Sequence, residues 1–287
     1  MRNHIIPQKY LHGFTDNDSC LWTYQKDEVK PIYAHPKTTG FVNNFYSDTI
    51  EQELNRNFEI PAKPVLDKIR DFQPITESDK HLLSTYIINM ILRVPHSKVI
   101  IRSQINSVRN KVLWDTARMI MNRTGKTIIE IQHTLENLRL GLENPEQESR
   151  LFEYMLAPNR MKNGLDCINN MTWQFLTFNS ASAFLTSDNP VFYFPDIGIG
   201  NDDSELIFPI STNIVLWASW QQSFASQYCP VDMAIVTEIN RKIAFTATRF
   251  IYFPSEENWV KAMIKETTLP LRKIVVTGDG KHTLMPR

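Results

Sequence analysis

Between residues 49 and 171 the apolar side chains return every three or four positions, and outside that stretch they come in short unbroken runs. A period near 3.6 lines one stripe of a helix, whereas short apolar runs bounded by polar turns suit buried strands. The chain must therefore fold as a helical excursion between two strand-forming ends. The expected class is α+β: a mixed, mainly antiparallel sheet formed by zones 1–48 and 172–287, with 49–171 as the helical excursion. No repeat or low-complexity linker interrupts the chain, so residues 1–287 are read as one integrated domain.

The individual elements follow from local chemistry. Ser19 to Tyr24 is aromatic-rich, follows an Asp-Asn-Asp turn signal and reads as a strand with Ile32-Tyr33 as its partner. Leu83, Tyr86, Ile87, Met90, Ile91 and Val94 mark an amphipathic helix that meets Pro95. Ile101, Ile105, Val108, Val112 and Met119 continue a helical stripe until Thr124-Gly125. Thr127 and Glu130 form a capping box for a helix carrying Ile131 and Leu135, and Asn144-Pro145 opens another that ends at Pro158. A further helix runs through Leu165, Ile168 and Met171. Strands are expected at 173–178, 183–186, 191–194, 206–210, 214–218 and 250–252, with a last one at 273–277. Helices are expected at 233–245 and from Ser255 to Met263, and Gly278 to Lys281 reads as a turn.

Composition excludes several function classes. Only 9 of 287 residues are glycine, and neither phosphate-cradling glycine pattern occurs, so the two commonest nucleotide-binding loops are ruled out. Lys plus Arg equals Asp plus Glu at 31 each, so a nucleic acid or membrane would have to be met by a local patch. Cys20, Cys167 and Cys229 are dispersed and fit neither a disulfide framework nor a zinc site; they read as buried small hydrophobes. Arg2, His4 and Pro7 stand where a signal peptide needs an apolar stretch, and no run approaches the ~18 apolar residues of a membrane span. A cytoplasmic protein without a membrane partner is expected. The oligomeric state is left open.

The opening His4-x-x-Pro7-x-x-Tyr10-Leu11-x-x-Phe14, followed by Leu21 to Tyr24, Phe45-Tyr46 and Ile50-Glu51, resembles the family called domain of unknown function 4238. Arg93-Val94-Pro95, Trp173, the Ser187-Asp188-Asn189-Pro190 segment, Pro209 and the 239–252 stretch fit the same pattern in order. The resemblance covers nearly the whole chain, with 98–164 matched only by helical character. It implies positions and no activity.

Those positions are the candidate site, and each has two readings. His4, with Gln8 and Tyr10 nearby, is a general base or metal ligand, or part of an anchor in which Pro7, Tyr10, Leu11 and Phe14 staple the N-terminus to the core. Asp188 and Asn189 initiate a turn before proline, or present a carboxylate at a strand end. Glu51 is a better site candidate than Glu59, which is expected on a solvated helix face. Arg93 is a helix C-terminal cation or an anion clamp. Lys98, Arg102 and Arg109 lie within about 40° of one another on a helix, in a segment from Lys98 to Lys126 with seven basic residues and one acid. That segment is a phosphate-tracking ridge for nucleic acid, or a solvated face answering acids in 143–153.

The leading expectation is an enzyme-like domain performing metal-assisted hydrolysis of an RNA or DNA phosphodiester. Asp188 and Glu51 would bind a divalent cation, His4 would activate water, and Arg93 would hold the phosphate. The alternative is a non-catalytic binding or effector module, such as one used in host defence. There the motif residues are fold determinants, and His4 and Asp188 each bond backbone groups.

Overall fold

The computed structural model describes residues 2–28, 30–142, 152–154, 156, 162–179, 183–221, 226–265 and 270–287. The N-terminal zone holds β1 (Arg2–His4), α1 (Gln8–Leu11), β2 (Leu21–Gln25), β3 (Ile32–Ala34) and β4 (Phe41–Asn43). The helical zone holds α2 (Asp48–Leu54), a π-helical turn (Asn55–Glu59), α3 (Ile60–Arg70), α4 (Glu77–Leu92), α5 (Pro95–Thr124), α6 (Gln132–Leu142) and α7 (Lys162–Asn170). In the C-terminal zone come β5 (Thr172–Thr177), β6 (Thr186–Ser187), β7 (Phe192–Tyr193), β8 (Glu205–Ser211), β9 (Ile214–Ser219) and β10 (Tyr228–Pro230). They are followed by α8 (Met233–Thr246), β11 (Phe250–Phe253), α9 (Asn258–Lys265), β12 (Lys273–Val276) and β13 (His282–Met285).

This is an α+β fold with mostly antiparallel pairing. The order β3-β2-β11-β6 joins the two ends of the chain in one sheet, with Tyr24 opposite Ile251 and Thr186 opposite Tyr252. The expected single sheet is nevertheless divided. A five-stranded sheet, β10-β5-β9-β8-β7, comes from the C-terminal zone alone, and β1-β4 and β12-β13 are separate two-stranded pairs.

The reason lies in the side chains of β5, β8 and β9. Phe175, Leu206, Phe208, Ile214, Leu216 and Ala218 pack with the N-terminal motif and the helices α2 to α4. Their neighbours Leu176, Ile207, Val215 and Trp217 point the other way and pack with α8 and β11. A sheet apolar on both faces must be covered on both, and its strands then read as near-continuous apolar runs. Glu205 and Lys242, both fully buried, pair across the second layer, and Glu205 also accepts from Trp217 Nε1 at 2.9 Å and Ile274 N at 3.1 Å. That many partners are what a buried charge requires.

Helix ends follow the sequence closely at some positions. Thr76 accepts from Asp79 N while the Asp79 carboxylate accepts from Thr76 N, a capping box that opens α4. Pro95 begins α5, and Gly125 ends it in the left-handed conformation at φ +68°. Elsewhere the structure corrects the reading. Thr127 does bond Glu130, at 2.7 and 2.8 Å, but α6 opens only at Gln132. Ser255 bonds Glu257 and α9 begins at Asn258. The stripe on α5 is buried only at Ile101; Val108 and Met119 are 62% and 48% exposed. The 273–277 strand is not the last: the chain turns at 278–281 and returns as β13, with Val276 opposite His282. The helix expected from Asn144 to Pro158 falls largely outside the described residues. Among the described residues no helix is long and apolar enough to cross a membrane.

Asp79 accepts from the Thr76 backbone and from Lys68, whose Nζ lies 2.9 Å away, and both hold its carboxyl below the ordinary aspartate value. A depressed folded-state value adds stability above the unfolded value, lost as pH falls through the folded one. Asp79→Asn should therefore cost about 1 kcal/mol at pH 7. The difference from wild type should narrow as urea melts are moved below about pH 4.

Candidate functional site

The first ten residues are held by arginines that come from the helical zone. Arg93, the C-cap of α4, is fully buried. Its Nη1 donates to Glu59 Oε1 at 2.8 Å, and its Nη2 donates to the His4 carbonyl and to Tyr46 Oη at 3.1 Å. Tyr46 donates to the same carbonyl at 3.2 Å, and burial pushes its hydroxyl up to about 12. Arg70, at the end of α3, donates to the Tyr10 carbonyl at 3.1 Å and the Ile210 carbonyl at 3.2 Å. Gly13 makes that approach possible, since a Cβ there would sit 2.6 Å from both the Arg70 guanidinium and the Ile210 carbonyl.

Side chains of the opening motif complete the anchor. Tyr10 is buried, stacks on Phe208 at 5.2 Å and meets Thr186 Oγ1 at 2.7 Å, so it ties α1 to β6. Burial drives its hydroxyl far above the ordinary tyrosine range. Leu11 and Phe14 are fully buried. The half-buried His4 ring meets the Gln8 amide at 3.2 Å and the edge of Phe41, while its carbonyl carries the structural contacts.

Asp188 has a comparable role at the other motif. It is 2% exposed, its Oδ1 accepts from Thr248 N at 2.8 Å and its Oδ2 from Arg249 N at 2.9 Å. Burial raises its carboxyl despite these donors. Asn189 donates to the Thr246 carbonyl at 3.0 Å, and Thr246 Oγ1 donates back to the Asn189 carbonyl at 2.9 Å. The turn thus clamps the exit of α8 and aligns β11 with β6.

Of the four residues expected to share a catalytic centre, His4, Arg93 and Glu51 meet around the Tyr46 hydroxyl, whereas Asp188 is engaged elsewhere. Glu51 accepts from Asn3 Nδ2 at 3.3 Å, and Asn3 Oδ1 in turn holds Phe45 N at 2.8 Å. Glu51 thereby braces the β4–α2 connection, Asp188 binds the 248–249 backbone, and the two carboxylates share no partner. The guanidinium of Arg93, neutralised by Glu59, is turned to the chain rather than to a ligand. Among the described residues no three His, Cys, Asp or Glu side chains are grouped so as to hold a metal ion. Glu59, expected on a solvated helix face, is instead half-buried and reaches Arg93 from the π-helical turn, and Glu51 is half-buried as well.

On the basic segment, Lys98 lies over the Phe45 ring at 4.8 Å and donates to the Phe45 carbonyl at 3.3 Å. Arg109 donates to Asn106 at 3.2 Å, and Arg102, Lys111, Arg118, Arg123 and Lys126 are exposed. The expected ridge is therefore broken at its first member. Cys20, Cys167 and Cys229, read as buried, are each only partly so.

A cleft of about 380 Å3 lies where the two later motifs meet. Ile91, Ile100, Val191 and Phe245 form its walls, with Asn189 and Tyr193 among its polar groups. His96 and Ser97, in the first turn of α5, lie on the same rim. Neither His4, Glu51 nor Asp188 is among its lining residues. No local spacing points to this cleft, since its walls come from positions about 150 residues apart.

The molecule is thus an α+β protein in which motif side chains join the two chain ends through a helical zone. It belongs to the family described as a protein of unknown function, DUF4238, which matches residues 2–257. No curated protein and no solved structure matches the chain.

Removing Arg93 leaves the His4 carbonyl short of a donor and Glu59 without its partner. Arg93→Met should cost about 3–5 kcal/mol in denaturant melts. Asp188→Asn presents an amide N–H to one of two buried backbone donors and should cost about 1–3 kcal/mol. A loss under 0.5 kcal/mol in either case would contradict these structural roles.

Proposed function

We propose that this protein is a binding module whose motif residues build the fold, and that it takes a small amphipathic molecule in the cleft between α5 and the 187–191 turn. The observation that carries this reading is the cleft itself. Its volume is in the range of drug-sized sites, which are mostly apolar with a few placed polar groups. Among the described residues no carboxylate lines it, and His96 is the titratable nitrogen base on its rim. The first turn of the 30-residue helix α5 adds the positive end of a helix dipole at the rim. An apolar chain or ring ending in a carboxyl or hydroxyl group suits this combination. The walls would cover the apolar part, and the rim would receive the polar end.

Phosphodiester hydrolysis by His4, Glu51, Arg93 and Asp188 has no comparable support, because each of the four has a structural partner. Nucleic-acid tracking by the 98–126 segment rests only on the exposed cations of α5. On the binding reading, DNA and RNA incubated with the protein and Mg2+ or Mn2+ stay intact. Cleavage that disappears in His4→Ala would replace this proposal with the hydrolase.

The direct test is thermal melting with sodium decanoate and with decanol. Ligand at a hundred times its Kd adds about 2.7 kcal/mol, a rise of roughly 5–10 °C. Ile100→Asp, a change at a half-exposed wall position, should abolish the rise without lowering the unliganded Tm. If neither probe raises Tm, or if the variant responds as wild type does, the cleft is not the site.

A further inference from the structure

A second cluster lies away from the cleft, at the edge of the five-stranded sheet. Cys229, on the edge strand β10, places its Sγ 3.7 Å from Nδ1 of His282, the first residue of β13. The other ring nitrogen, Nε2, lies 2.8 Å from Gln174 Oε1 on β5. The Gln174 amide is itself oriented, since its Nε2 donates to the Ser226 carbonyl at 2.9 Å. That leaves Oε1 to accept, so His282 carries its proton on Nε2 and turns a free lone pair on Nδ1 toward the thiol. Trp217, fully buried, packs edge-on against the imidazole with ring centroids 5.3 Å apart and fixes its plane. Cys229 and His282 are both half-buried, so a small reagent has access to a thiol whose base is already oriented.

A nucleophile, a base within reach of it and a third group that orients the base make up the arrangement by which thiols attack acyl carbons. We propose that Cys229, His282 and Gln174 form a thiol nucleophile site that accepts acyl groups from activated esters or thioesters. Cys229 and His282 are the catalytic residues, and Gln174 is a positioning residue. In the step, the Sγ proton passes to His282 Nδ1 as the Sγ–carbon bond forms at the acyl carbonyl. The carbon–oxygen or carbon–sulfur bond to the leaving group then breaks, and the leaving group departs with the electron pair. His282 returns the proton to the leaving group or to solvent. Water, deprotonated by the same imidazole, later cleaves the acyl thioester to a carboxylic acid and the free thiol.

Burial favours the neutral form of both groups: it pushes the thiol up and the imidazole down. A neutral imidazole is the form that can take the proton during attack. The site also stands apart from the family-wide features, since His282 lies beyond the 2–257 region that matches the family. Sequence reading missed it because 108 residues separate Gln174 from His282 and 53 separate Cys229 from it.

The test uses p-nitrophenyl acetate and the full chain, with nitrophenolate release followed optically and acetylated cysteines located by peptide mass spectrometry. Cys229 should be acetylated about tenfold or more faster than Cys20 and Cys167 in the same wild-type molecules. His282→Asn should remove that advantage and leave the other two cysteines unchanged. Gln174→Leu should lower the Cys229 rate, and Gln174→Glu, which keeps an acceptor for the Nε2 proton, should restore it. Equal acetylation of the three cysteines in wild type would overturn the proposal whether or not the variants fold. So would a His282→Asn protein of unchanged Tm that still acetylates Cys229 at the wild-type rate.

Discussion

A guanidinium with no exposed surface must find its compensation inside the chain, and Arg93 does so through its two Nη atoms, while its buried Nε has no hydrogen-bond partner. Its partners are a carboxylate from the π-helical turn, a tyrosine before α2 and the backbone of β1. One side chain therefore fixes three segments from the first hundred residues relative to α4. Arg70 performs the same task a few residues along, binding the Tyr10 and Ile210 carbonyls at once. The N-terminal segment has few internal hydrogen bonds of its own, with three residues in β1 and four in α1. It is held by pairing of β1 with β4, by the buried Tyr10, Leu11 and Phe14, and by the arginines that α3 and α4 bring to its carbonyls.

The C-terminal half depends on a related device. Its five-stranded sheet is buried on both faces, so the second layer has to be locked in register without exposing polar groups. Glu205 and Lys242 meet there, with Trp217 and Ile274 taking the remaining acceptor capacity of the carboxylate. Asp188 and Asn189 then fasten the end of α8 to the turn before β7. The motifs that make the family visible are thus, in large part, sites where charge or amide groups replace missing secondary structure.

Much of the fold was legible in local pattern. The α4 stripe, the Pro95 start and Gly125 stop of α5, the β2–β3 pair and the β8–β9 hairpin all rest on periodicity or turn chemistry within a few residues. What was not legible involved partners distant in sequence. Glu59 looks like a surface residue beside Pro61, and only the packing of α3 against α4 brings it to Arg93. β13 has four residues and no strong alternation, so it becomes a strand only by pairing with β12. The candidate site divides in the same way. His4, Asp188 and Arg93 were recognisable as special positions, but whether a special position serves chemistry or folding depends on what faces it.

The sequence by itself determined the α+β class, the places where helical and strand periods change, and which residues of the opening and Ser-Asp-Asn-Pro motifs could not be ordinary. Those are consequences of side-chain spacing and backbone preference, which act over a few residues. The anchoring role of Tyr10, Leu11 and Phe14 was legible in their apolar chemistry, whereas tertiary structure alone decided that His4 contributes chiefly its carbonyl. It also decided that Asp188 closes a turn rather than facing Glu51, and that Cys229 meets His282. A buried charge or thiol takes its role from its nearest partner, and that partner is chosen by packing.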